Sequence, residues 1–397
     1  MQSFSKIALD RERFRLRGRR FIKIQRKIAR DMADHIEARF IKKLDIADAI
    51  KGQKFESYYS EPITILGLFL SIDTRTAMFK RTAGINYKAW LIKIDHGLGS
   101  MYIDKANDKE VSSAIYNKIV KHGYFSEIYA NIMSKARQLV NFSIGLERID
   151  YPKYSNKKLQ KLYLSFCRHF MDMRMYSSLP TALEHESNSW TKLLNKLLLK
   201  KIKDEKELNR VFSVLTTPDK LSYVKQFELN LAKIGIKKCA GKNIERDING
   251  ITKKYAWINY TFEGTPISSH EVLTRMSEIG QTKEDFESVV KNEFMRSREL
   301  KEEKIIISKR YRLSKKEKNL FKIGSNIVFV KFFRKGIFAK SYYYFEFLLQ
   351  EISRRINCTR KQASNMLANE VLAALEVGGF PSDLINLRIK SSQFLGI

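Results

Sequence analysis

Residues 253–276, KKYAWINYTFEGTPISSHEVLTRM, decide how the chain folds. Tyr255, Trp257, Tyr260 and Phe262 fall within eight positions. Gly264 and Pro266 then break the pattern, and Ser268 and Ser269 open a run with helical spacing. Aromatic residues at this density form a buried corner, stack on nucleotide bases or line a ligand pocket. The glycine and proline shape a chain reversal, which suits a corner that pins a loop between two helices. Lys253 and Lys254 beside the rings are the cations a base-stacking surface would use.

The 397 residues allow about two or three domains and a large core. Hydrophobic residues make up 44% and aromatic residues 12%, which excludes a disordered chain. Only 6 prolines and 18 glycines are present. An all-β chain would need a turn every 8–12 residues or so, so a mainly α fold is expected. No apolar run reaches the roughly 18 residues of a membrane span, and the N-terminus lacks the apolar core of a signal peptide. Cys167, Cys239 and Cys358 are odd in number and far apart, with no CxxC. Neither a zinc site nor a disulfide framework follows, and a reducing, cytoplasmic location is expected.

Lys and Arg number 74 against 43 Asp and Glu, a formal net charge of +31. Such an excess attracts nucleic acid, an anionic membrane surface or an acidic protein, although scattered lysines also suit solvated helix faces. The charge is densest at Arg11, Arg13, Arg15, Arg17, Arg19 and Arg20. These alternate too closely for one helix face. They are the first candidates for contact with a polyanion, with Lys253, Lys254, Arg360 and Lys361 as second candidates. From Phe21 onward Ile24, Ile28, Met32, Ile36 and Phe40 repeat at helical spacing and predict one long amphipathic helix.

Further along, ITILGLFLSI (63–72) reads as a core helix, with a buried strand as the alternative. HGLGS (96–100) reads as a glycine-broken turn and not as a phosphate loop. A boundary near 96–110 divides a basic N-terminal helical segment, 1–100, from a multi-helix domain, 101–397. The helical pattern is interrupted at RIDYPKYSNKK (148–158). Thr217 is placed to cap a helix with Pro218 in its first position, Leu221, Val224, Leu231 and Ile234 facing inward and Gly235 ending it. Thr359 and Gln362 match a capping box. Ala363, Met366, Leu367, Val371 and Leu375 then form an inner stripe up to Gly378 and Gly379. A helix ending near Ile356 and one opening with Arg360, Lys361, Gln362, Ser364 and Asn365 suggest a helix-turn-helix, although Cys358 stands where the turn glycine usually does.

The histidines are His35, His96, His122, His169, His185 and His270, and none sits in a metal signature such as HExxH. Cys167 and His169 point to different faces of a helix, and Glu184 and Glu186 flank His185 without facing it. No nucleophile motif and no Walker loop is legible. No catalytic, cofactor-binding or metal-binding residue is therefore assigned, no cofactor is expected, and the chain is not expected to be an enzyme on its own.

Four segments carry a resemblance. They are SVLTTPDKLSYVKQFELNLAKI (213–234), ITKKYAWINYTFEGTPISSHEVLTRMSEI (251–279), YYFEFLLQEISRRINCTRKQASNMLANEVLAAL (343–375) and INLRIKS (385–391). In this order they resemble the central helical region of phosphoenolpyruvate-utilising proteins, relatives of phosphoenolpyruvate synthase and pyruvate phosphate dikinase. There a Y-x-W segment and a Gly/Pro turn sit between helices, and a helix end like Glu370-Val371-Leu372 leads to a mobile phosphohistidine domain. The resemblance spans about residues 100–397 and does not extend to the ATP-grasp domain, the phosphohistidine domain or the barrel. It implies a non-catalytic helical module working with a catalytic partner subunit. The alternative is a nucleic-acid-binding protein, or a structural subunit of a nucleic-acid-containing assembly, that uses the basic arm.

Overall fold

The computed structural model describes residues 22–24, 54–184, 188–262 and 264–396. Arg11, Arg13, Arg15, Arg17, Arg19 and Arg20 lie outside the described residues, as does most of the amphipathic stretch that follows them. The protein is mainly α-helical. In chain order its elements are β1 (Phe55–Pro62), α1 (Ile65–Asp73), a π-helical turn (Thr74–Met78), α2 (Lys80–Ala83), β2 (Trp90–Asp95), β3 (Leu98–Asp104), α3 (Lys105–His122), α4 (Phe125–Leu146) and α5 (Asn156–Ala182). There follow α6 (Ser189–Leu199), α7 (Glu205–Thr216), α8 (Tyr223–Cys239), α9 (Glu245–Tyr255), α10 (Ser269–Ile279), α11 (Lys283–Arg310) and α12 (Lys315–Ile356). The chain closes with α13 (Arg360–Ser364), α14 (Ala368–Val377), α15 (Ser382–Lys390) and β4 (Ser391–Gly396). No described helix is long and apolar enough to cross a membrane.

Two compact units form, and they do not follow the expected division into 1–100 and 101–397. The first gathers the described residues up to Ile115, Asn131–Tyr176 and the described residues from Tyr344 onward. The second holds Tyr116–Ala130 and Ser177–Tyr343. The reason lies in the sheet. Its order is β1-β3-β2-β4, with every pair antiparallel, so a strand from the end of the chain joins three strands from before residue 105.

In the first unit β2 and β3 form a hairpin with Asp95 opposite Leu98. His96 and Gly97 make the two-residue turn, with φ of 47° and 86°. Left-handed backbone at both positions matches the right-handed twist of the strands, so the glycine-broken turn is a hairpin. Trp90, Ile92 and Ile94 alternate inward along β2. Of the stretch 63–72, residues 65–72 are helical, so the core-helix reading holds over the buried strand. Thr64 Oγ1 caps α1 by accepting from Gly67 N at 3.2 Å, and Ile65, Leu66, Leu68, Leu70 and Ile72 are all buried. A helix that is apolar all round belongs inside a core.

Residues 360–377 form two helices rather than the single one expected. The capping box of Thr359 and Gln362 is present, but α13 stops at Ser364. Asn365 holds the break: its Nδ2 donates to Lys361 O at 2.8 Å, and its Oδ1 accepts from Ile65 N at 3.2 Å. Ala363, Met366, Val371 and Leu375 are buried while Leu367 is half-buried, and Gly378 ends α14 with φ of 69°. Across from α14, Arg388 of α15 grips Glu370 through two contacts of 2.5 and 2.8 Å.

The second unit overturns two helix boundaries. α7 ends at the position where a start is predicted, and Thr217 Oγ1 donates back to Ser213 O at 2.7 Å. The next helix begins after Ser222, whose Oγ accepts from Lys225 N at 3.2 Å. Pro218 thus lies in a loop, and Val224 is exposed. Gly235 does not end α8, which runs on to Cys239. A Cβ at Gly235 would stand 2.5 Å from the Phe286 ring, so this glycine serves close packing on α11.

Candidate functional site

The loop between α7 and α8 borders a cleft of about 650 Å³ in the second unit. Three hydrogen bonds from two helices pin the loop. Lys304 Nζ on α11 donates to Thr217 O and Asp219 Oδ1, both at 2.6 Å, and Ser325 Oγ on α12 donates to Thr217 O at 3.0 Å. A loop held from two helices presents Lys220 and Ser222 at fixed positions. α12 supplies Phe329, Phe332 and Phe333, and α11 supplies Glu293, Arg296 and Leu300.

The wall is aromatic. Phe329 stacks on Phe333 at 5.3 Å, and Phe333 stacks on Tyr223 at 5.9 Å. Phe332 is 60% exposed at the mouth. The cations are Lys220, Lys225 and Arg296. Glu293 is buried and already engaged, by Arg296 at 3.4 Å and by Lys225 at 3.9 Å, while Lys225 also meets Glu228 at 3.1 Å. Lys220 differs. Its ammonium donates to Tyr129 Oη at 3.0 Å and lies 5.3 Å from the ring centres of Tyr129 and Phe329. These partners are neutral rings rather than carboxylates, and the lysine is exposed. The size and lining suit a small molecule with a flat apolar part and an anionic part.

The aromatic corner lies behind this wall. Tyr255, Trp257 and Tyr260 are buried and Phe262 is half-buried, so the rings form a packed corner rather than a stacking surface. Trp257 Nε1 donates to Lys254 O at 3.0 Å, and its ring meets Tyr223 edge-on at 5.2 Å. Phe262 packs on Tyr342 at 5.0 Å, and Tyr260 on Tyr343 at 5.7 Å. Lys340 lies 5.7 Å from the centre of the Trp257 ring; burial, and then Lys254, pull its ammonium below the usual lysine range. Burial likewise pushes the Tyr223 phenol up to about 12, so that ring stays neutral. The stretch that dominates the sequence thus positions Tyr223, a residue of the cleft.

The other candidates are scattered. Lys253 and Lys254 are exposed on the last turn of α9. Lys361 is exposed on the short helix α13, and Arg360 there pairs with Glu346. Ser364 and Asn365 are buried, so the expected reading helix does not present them. The first pair belongs to the second unit and the others to the first. Lys220, Tyr223, Arg296 and Phe332 were not selected from sequence. The signal for Lys220 and Tyr223 was the loop TTPDKLS, which a capped-helix reading hides.

No protein-family model, curated protein or solved structure matches the chain.

Proposed function

We propose that this chain is a non-catalytic helical module, related to the central region of phosphoenolpyruvate-utilising phosphotransferases. It holds an anionic, partly aromatic ligand in the cytoplasm for a partner subunit that carries the chemistry. The observation that supports this reading is the pairing of Lys220, Lys225 and Arg296 with the Phe329–Phe333–Tyr223 wall in one cleft. The loop and helix that build it, 213–234, are among the segments on which the resemblance rests. Isothermal titration with adenosine monophosphate, which has both the aromatic and the anionic part, and with phosphoenolpyruvate, which has the anionic part alone, tests the idea. Saturable binding of at least one is expected. Lys220→Met should weaken it about tenfold or more, the value of a charged hydrogen bond, with the melting temperature unchanged. No binding of either probe at millimolar concentration would sink the reading.

A second reading rests on the net charge of +31. It is a nucleic-acid-binding protein, using the arginines from Arg11 to Arg20 and a base stacked on exposed Phe332. Affinity for a single-stranded oligonucleotide should then fall steeply with salt. Replacing the six arginines by glutamine should flatten that slope by several units, close to one per lost phosphate contact. Salt-independent binding would exclude it.

A further inference from the structure

α11 packs by one side only. Its buried residues are Phe286, Glu293 and Ile307. The opposite side carries Phe294, Met295, Ile305 and Ile306, with 73%, 43%, 56% and 61% of their surface exposed. At 3.6 residues per turn, Phe294 and Ile305 stand about 20° apart around the axis, as do Met295 and Ile306. The four side chains therefore make two apolar pairs on one face, about 16 Å apart along it. Between the pairs lie Arg298 and Glu302, both exposed and joined at 2.8 Å. Lys291, Met295, Arg298, Glu302, Ile305 and Lys309 repeat with alternating steps of four and three, so the apolar Met295 and Ile305 and the charged residues between and beyond them lie along one line of the helix surface. Four large apolar side chains on one face of a strongly cationic protein mark an interaction surface.

The order of these residues identifies the occupant. Counted outward from Leu300, Phe294 and Met295 on one side match Ile305 and Ile306 on the other, and Arg298 matches Glu302. Read backwards, the stretch from Phe294 to Ile306 is its own complement: apolar meets apolar, and Arg298 meets Glu302. We propose that this face is an isologous homodimer interface, in which two copies of α11 pack antiparallel about a two-fold axis at Leu300. Phe294 and Met295 of one copy then meet Ile305 and Ile306 of the other. The two Arg298–Glu302 pairs lie head to tail, each charge opposite its counter-charge. Lys291 of one copy lies opposite Lys309 of the other at each end of the stripe, where both are exposed and their ammonium groups splay into water, which screens the like charges. A single helix face is smaller than a standard interface, so the dimer is weak, with a Kd on the order of 10–100 µM.

Sedimentation equilibrium of the full chain between about 1 and 200 µM tests this. The wild type should pass from monomer to dimer across that range. Arg298→Glu should raise the Kd about tenfold, because two carboxylates then face each other, and the swap Arg298→Glu with Glu302→Arg should restore it. Both positions are exposed, so folding is unaffected. Direction is read in a Cys239→Ser background. A mixture of Arg298→Cys and Glu302→Cys chains should form a mixed disulfide faster than either variant alone. Faster cross-linking of Arg298→Cys to itself means parallel pairing and refutes the proposal, as does a dimer indifferent to the charge reversal. A wild-type monomer also refutes it. In that case, loss of thermal stability in Phe294→Asp assigns the face to another part of this chain, and unchanged stability leaves it to a different protein.

Discussion

Tyr223 lies directly against Gly336: a Cβ on Gly336 would stand 2.2 Å from Tyr223 Cδ2. One helix gives up a side chain so that the ring between Trp257 and Phe333 can seat. Gly336→Ala must push that ring aside. Overpacking of this kind costs about 1–3 kcal/mol, against the roughly 1 kcal/mol alanine gains in a helix interior. Urea denaturation should show a net loss, with weaker ligand binding in the cleft. Gly250→Ala in α9 is the contrast, since its Cβ would meet nothing within 4 Å. That change should stabilise by about 0.5–1 kcal/mol.

Trp257 is buried, with its Nε1 bonded to Lys254 O. Trp257→Ala should cost about 3–5 kcal/mol, the usual loss for emptying a large aromatic site. Trp257→Phe should cost less, because it keeps most of the packing against Tyr223. An unchanged melting temperature together with lost ligand affinity would instead make this ring a contact surface.

The Glu370–Arg388 pair is almost fully enclosed, with 3% and 10% of the two side chains exposed. Glu370 Oε2 also accepts from Leu367 N at 2.8 Å, so the carboxylate starts α14 as well as holding α15. Arg388→Met leaves a buried charge without its partner and should cost about 3–5 kcal/mol. The double variant Glu370→Leu, Arg388→Met should cost clearly less than the sum of the two single changes. Additivity in a double-mutant cycle would show that the pair is not coupled.

Burial pushes the Asp73 carboxyl at the end of α1 from its ordinary 3.8 up to about 7. Between those values the unfolded chain has released this proton and the folded chain still holds it. The stability the group contributes is full below its unfolded value and is lost as pH rises toward 7. Asp73→Asn cannot ionise and should remove that decline. The variant should therefore gain on the parent from pH 4 to pH 7 in urea titrations. Parallel pH profiles would show that the carboxyl is solvated in the fold.

Local order was readable wherever its cause lay within a few residues. The apolar helix from Ile65 to Ile72, the caps at Ser268 and Thr359 and the stop at Gly378 follow from local apolar runs and short-range hydrogen bonds, whereas the corner around Trp257 closes on the distant Tyr223, Tyr342 and Tyr343. The mainly α class follows from the same signals. Of the cleft, Lys220 and Tyr223 lay in a segment whose helix start was misplaced, because Thr217 and Pro218 offer a good cap that the fold does not use.

What that cap lost to is tertiary. Thr217 gives its carbonyl to Lys304 and Ser325, residues its neighbours in sequence could not reveal. Gly235 continues a helix because Phe286 needs the space, and Gly336 is a glycine because Tyr223 does. β4 is a strand because β2, nearly the whole chain away, offers it an open edge. By itself the sequence determined the mainly α class, the caps at Ser268 and Thr359 and the charge, since the helices and their caps depend on residues a turn or two apart and the charge on composition alone. Only the tertiary structure decided the sheet, the two units and the cleft, since those depend on side chains that folding brings together from distant parts of the chain.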